Sequence, residues 1–257
     1  MPLNKSCSRT IDILELLSKS VEPLTLGQIC KDLSMPKSST FEIMNTLLEK
    51  EVVVYADERL KSYQLGIKMF RIGSRALSKT SLYNTAQPVL MKLSKSLKET
   101  VYLAVENQGK IIYLDKVESA QPIKATCEIG SSNYMHVTGL GKALLATYSD
   151  EKVRSIIGTG NLRTFTPQSI ADAGRLSEEL KATKVRGYAI DDRESMEFVK
   201  CVAAPIRDHS GDGVAAISIA VLYNCMTDEY SKELGGLVVD AALNISRQLG
   251  YAGKKLY

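Results

Sequence analysis

The sequence predicts an α+β chain of two domains: a winged helix-turn-helix over residues 1–66, and a mostly antiparallel sheet flanked by helices over residues 83–257. A linker helix over 67–82 joins them. Three observations carry this. Apolar residues at helical spacing flank a break at Ser34-Met35-Pro36; two β-prone runs follow that helix pair; and longer alternating runs recur at 101–107, 110–118, 199–206 and 214–221 among amphipathic stretches.

The first domain is organised around residues 25–48. Leu26, Ile29, Cys30 and Leu33 recur as one helix; Phe41, Ile43, Met44, Leu47 and Leu48 recur as the next. Thr25 and Gln28 have capping-box spacing, and Pro36 suits a helix start. Behind Pro36, Lys37, Ser38, Ser39 and Thr40 put one cation and three hydroxyls where unpaired backbone amides also point outward, which suits a phosphate. Ile11, Ile13, Leu14, Leu16 and Leu17 close a three-helix core from the preceding stretch, with Arg9 near its start facing a phosphate. Val52 to Tyr55 and Ser62 to Leu65 then read as the two wing strands, with Arg59 and Lys61 at the tip. The DNA-facing set is therefore Arg9, Thr25, Lys37, Ser38, Ser39, Thr40, Arg59 and Lys61, together with Glu42 on the recognition helix. Twelve Lys/Arg against nine Asp/Glu in residues 1–80 place most of the net charge of +4 with this domain.

Residues 67–81 carry Met69, Ile72, Ala76 and Leu77 on one face and Lys68, Arg71, Arg75 and Lys79 on the other, a connector whose apolar face suits a second copy. Beyond it, a helix from Pro88 to about Lys98 leads to three strands, 101–107, 110–118 and 123–128, the first two joined by a Gln108-Gly109 turn. A small-residue helix spans 139–148, Asp150 caps a short one, and an amphipathic helix from Asp172 to Val185 stops at Gly187. Two final strands precede a helix from Asp228 capped by Thr227, with Leu234, Leu237, Val238, Ala241 and Ile245 inward.

Composition excludes several classes. With 44% hydrophobic and 24% charged residues the chain is an ordinary globular one, and it has no apolar run near the about eighteen residues a membrane span needs, so a cytoplasmic protein with no membrane partner is expected. Five scattered cysteines without a CxxC pair argue against a disulfide framework or zinc ribbon; no metal or other cofactor is expected. No nucleophile elbow or phosphate-cradling loop occurs. The enzyme alternative is a hydrolase built on Cys201 and His136; a third is an architectural DNA-binding dimer without a ligand.

The stretches SRTIDILELL (8–17), LTLGQICKDLSMPKSS (24–39), PVLMKLSKSLKETVYLAV (88–105), YLDKVES (113–119), MHVTGLGKALLA (135–146), RGYAIDDRE (186–194) and KCVAAPIRD (200–208) together resemble the IclR-type transcriptional regulators, over nearly the whole chain. The resemblance implies a winged helix, a dimerising linker helix and a GAF-like second domain that binds a small effector, usually an organic acid. It implies a regulator, most simply a repressor, of a catabolic operon, with double-stranded operator DNA, the effector, and a homodimer or dimer of dimers as partners. Gly139, Leu140, Asp191, Cys201 and Ser218 match the family's effector pocket. Gly139 stands at a helix start, where amides and the helix dipole favour a carboxylate. The chain departs from the family at Glu42, where a basic residue is usual; at Glu51, where a helix-ending glycine is usual; and at Ala220, which replaces a hydroxyl. The last implies an effector larger or less oxygen-rich than glyoxylate or pyruvate.

Overall fold

A computed structural model describes residues 3–57, 59–78 and 81–257, and for residues 74–78 the backbone alone. The chain forms two compact units, residues 1–79 and 80–257.

In the first unit, α1 (Lys5–Lys19) starts at Asn4, whose side chain accepts from the Ser6 and Cys7 amides at 3.0 Å. A two-residue strand, β1 (Leu24–Thr25), leads into α2 (Leu26–Asp32), and the expected capping box forms: Gln28 Oε1 accepts from the Thr25 amide at 2.8 Å, and Thr25 Oγ1 from the Gln28 amide at 3.4 Å. The recognition helix α3 (Lys37–Glu49) follows, with Pro36 as its N-cap rather than inside its first turn. Strands β2 (Val53–Asp57) and β3 (Ser62–Leu65) make the wing, and β1 adds a third strand against β3. Ile13, Leu17, Ile29, Met44, Leu47, Val53 and Tyr63 form the core. Phe41, expected among the apolar positions, is instead 49% exposed: one residue past Thr40, it is rotated about 100° around the helix from the stripe of Thr40, Met44 and Leu47.

Glu51, where the resemblance implies a glycine, takes φ +56° to turn α3 into the wing. The turn packs so closely that a Cβ on Gly66 would lie 2.4 Å from the Glu51 carbonyl oxygen, and Lys68 Nζ donates to the Lys50 carbonyl at 2.7 Å. Helix α4 (Ile67–Ser78) belongs to this unit and leaves Ile67, Phe70 and Ile72 largely exposed. The expected linker segment 67–82 includes residues 79 and 80, which lie outside the described residues; a separate helix begins at Ser81.

The second unit opens with that helix, α5 (Ser81–Leu97), which holds Pro88 inside it rather than starting there. Strands β4 (Thr100–Asn107) and β5 (Lys110–Val117) form the expected hairpin, turning at Gln108 and Gly109, both at positive φ. The third predicted strand, 123–128, does not form. Ser132–Tyr134 takes the edge of β5 as β6, while Ala125 and Cys127 turn toward a cavity and Glu118 bridges Lys116 and Lys124 at 2.6 and 2.8 Å. After a 3-10 turn at Met135–Val137 come α6 (Gly139–Leu145), α7 (Asp150–Ile157) and α8 (Ala173–Arg186). Ser149, not Asp150, caps α7; Asp172 caps α8, and Gly187 ends it at φ +90°. Strands β7 (Ala189–Asp192), β8 (Val199–Arg207) and β9 (Gly213–Leu222) precede α9 (Asp228–Gln248), capped by Thr227; Leu237 on this helix is exposed rather than inward.

The six-stranded sheet has the order β6-β5-β4-β9-β8-β7, antiparallel throughout. Period-two alternation divides its side chains between two layers. Val101, Leu103, Val202, Ala204, Ile217 and Ile219 pack with α5 and α9, whereas Tyr102, Ala104, Ala203, Ala216 and Ala220 pack with Leu140, Leu144, Leu176 and Leu180 of α6 and α8. The second face carries small residues on β8 and β9, which leaves room between the sheet and α6.

Candidate DNA interface and effector cavity

At the recognition helix, Lys37, Ser38, Phe41, Glu42 and Asn45 are all exposed, so one face of α3 combines a cation and hydroxyl at its start with Phe41, Glu42 and Asn45 farther along. Phe41 and Asn45 escaped the sequence reading, although both sit at multiples of four from Lys37. Arg9 is not free: its Nη1 donates to Ser39 Oγ at 3.4 Å, and Ser39 in turn donates to the Pro36 carbonyl at 3.2 Å, so α1 is tied to the start of α3. Thr40 is corrected more sharply. It is fully buried, with its hydroxyl donating to the Pro36 carbonyl at 2.9 Å, and presents nothing to DNA. Thr25 spends its hydroxyl on Gln28. At the wing, Asp57 Oδ1 accepts from the Arg59 and Leu60 amides at 2.7 and 2.9 Å, leaving Arg59 and Lys61 exposed at the tip.

In the second unit, Gly139, Leu140, Asp191, Cys201 and Ser218 line one cavity, together with Tyr102, Tyr113, Cys127, Met196 and Ala220. Register explains the meeting. Asp191 pairs with Cys201 and Cys201 with Ala220, while Ser218 lies between Tyr102 and Ala203. Helix α6 closes over these rows: a Cβ on Gly139 would stand 3.2 Å from Ala203 Cβ and 3.7 Å from Cys201 Cβ. The cavity measures ≈ 40 Å³, room for about three waters. Leu140, Met196, Val199 and Ala220 make much of its wall apolar.

Burial sets the electrostatics. Asp191 is 4% exposed and its carboxyl is pushed up to about 7, chiefly by desolvation, against the attraction of Lys142. Its Oδ1 accepts from the Glu194 amide at 2.8 Å. Lys142 and Glu194, which sequence reasoning missed, form a buried ion pair beside it; among the described residues Glu194 Oε2 has no hydrogen-bond partner. The one available signal was a lysine in the otherwise apolar run GLGKALLA. Burial also raises Cys201 well above the ordinary thiol range, so it is a wall and not a ready nucleophile. His136 does not line this cavity. Its Nε2 lies 2.8 Å from the Arg163 carbonyl, and burial lowers its pKa.

The profile described as "Bacterial transcriptional regulator IclR C-terminal" matches residues 74–247, and "IclR helix-turn-helix domain" matches residues 6–57. The chain belongs to the IclR family. It is 31% identical to the acetate operon repressor of Salmonella typhimurium over 98% of this chain and 91% of that one. It is 30% identical to the transcriptional repressor AllR of Escherichia coli K12 over 96% and 90%. The crystal structure of the Thermotoga maritima IclR superposes with a TM-score of 0.79 at 29% identity, covering 96% of this chain and 99% of that one. An IclR regulator accounts for both halves of the molecule: a helix-turn-helix unit with an exposed recognition face, and a curled antiparallel sheet unit with a cavity between the sheet and α6. No described helix is long and apolar enough to cross a membrane.

Proposed function

We propose that this IclR-family chain is a repressor that holds operator DNA with α3 and the wing and is controlled by a small organic acid bound beside Gly139, Leu140, Asp191, Cys201 and Ser218. The observation that carries it is convergence: residues spread from 139 to 218 line one cavity. The related repressors support the sign of regulation. The cavity weighs against an architectural dimer, and the unpaired, protonated Cys201 against a hydrolase. The chain works as a homodimer or dimer of dimers through the exposed apolar residues of α4, in the cytoplasm beside its DNA, on an operon for catabolism of an organic acid.

A screen of two- to four-carbon acids by thermal shift tests this. An acid at 100 times its dissociation constant raises stability by about 2.7 kcal/mol. Gly139→Val crowds Ala203 and removes that shift while operator binding without effector persists. A shift undiminished in Gly139→Val refutes the site.

A further inference from the structure

A second hollow in the same unit lies between α7 and α8, and its volume of ≈ 290 Å³ exceeds that of the effector cavity several-fold. Its floor is apolar: Leu145 at the end of α6, Val153 of α7, and Leu176 and Leu180 of α8, three of them buried. Its rim is cationic. Arg154 of α7 and Lys181 and Lys184 of α8 line it, against the single carboxylate of Asp150. Among the described residues none of these three cations has a carboxylate within 4 Å, whereas Lys116, Lys124, Arg186 and Arg193 all do. Lys181 and Lys184, three apart on one helix, repel each other, and Arg154 adds a third positive charge across the groove.

An apolar trough with a positive lip matches one ligand class. We propose that this groove binds an amphipathic organic anion, a carboxylate carrying a hydrocarbon chain or ring of about six to ten carbons, as a site separate from the effector cavity. The floor takes the hydrocarbon out of water, and the carboxylate relieves the repulsion among the three cations. The α6 helix joins the two sites, since Leu140 walls the small cavity and Leu145 floors the groove.

The probe is octanoate, with octanamide and acetate as controls, titrated into the full-length chain by calorimetry and followed by methyl NMR. Wild type binds octanoate at least tenfold more tightly than octanamide and does not bind acetate in the groove; Leu176 and Leu180 methyl signals move. Lys181→Glu with Lys184→Glu, both exposed positions, lowers octanoate affinity at least tenfold at an unchanged melting temperature, and Ser177→Trp, filling the groove from α8, abolishes binding. Gly139→Val leaves octanoate binding intact, which separates this site from the effector reading. Equal affinity for octanoate and octanamide, an undiminished affinity in the double reversal, methyl shifts confined to Leu140, or a groove closed by self-association in sedimentation would each overturn the proposal.

Discussion

Asp191→Asn should make this protein more stable, and only above acidic pH. The Asp191 carboxyl ionises near 3.8 when unfolded and near 7 when folded, because burial disfavours the charge more than Lys142 stabilises it. Below pH 3.8 it is protonated in both states and contributes no pH dependence. As pH rises from there the unfolded chain releases the proton first, so the native state loses ground until about pH 7, beyond which the loss is constant. From 3.8 to about 7 the difference is on the order of 4 kcal/mol. Asparagine keeps the oxygen that accepts the 2.8 Å bond from the Glu194 amide and has no charge to desolvate. Urea unfolding of wild type and variant from pH 4 to 8 should give near-equal stabilities at pH 4 and a gap growing toward pH 7, enough to move the midpoint by more than about 1 M. A gap that does not depend on pH, or a variant less stable than wild type at pH 8, would refute the assignment of Asp191 as a carboxylate held at a cost.

Lys142→Met should destabilise the second unit by about 3–5 kcal/mol, because it strands the buried Glu194 carboxylate; adding Glu194→Met should recover most of that loss in the same calorimetric scan. Lys37→Ala should weaken binding to every DNA sequence and lower the salt slope by roughly one charge per subunit, measured by fluorescence anisotropy; an unchanged slope makes Lys37 a solvated lysine. Phe70→Glu, on the exposed face of α4, should shift sedimentation toward monomer and weaken full operators far more than half-sites. An anionic effector beside Asp191 should bind most tightly below pH 7 and lose up to about tenfold per pH unit above it, since the neighbouring Lys142 is already committed to Glu194; flat affinity from pH 6 to 8 would contradict this.

What the sequence disclosed and withheld divides along range. Thr25 with Gln28, Asp172, Thr227 and Gly187 marked helix ends because a cap is decided within four residues. Residues 123–128 have the β-branched and alternating character of a strand, yet the ladder site went to 132–134, a competition settled by tertiary packing. The short strand β1 was invisible for the same reason: two residues carry no period, and its partner lies far along the chain. In the site, Gly139, Asp191, Cys201 and Ser218 were legible through the family resemblance, but the pairing of Lys142 with Glu194 spans 52 residues and has no local mark. Thr40 was misread because hydroxyl chemistry alone does not say which side of a helix faces inward.

The segment after β7 is fastened from several sides. The Arg193 carbonyl accepts from Thr166 Oγ1 at 2.7 Å, the Glu194 carbonyl from Ser169 Oγ at 2.7 Å, and Ser195 Oγ from Asn133 Nδ2 at 2.9 Å, while the Glu194 carboxylate grips Lys142. Ser195 and Met196 of this segment wall the small cavity. That side of the cavity is therefore set by several bonds and an ion pair acting together, not by one rotamer. An occupant meets a wall already in place, so little of its binding free energy is lost to ordering Ser195 and Met196.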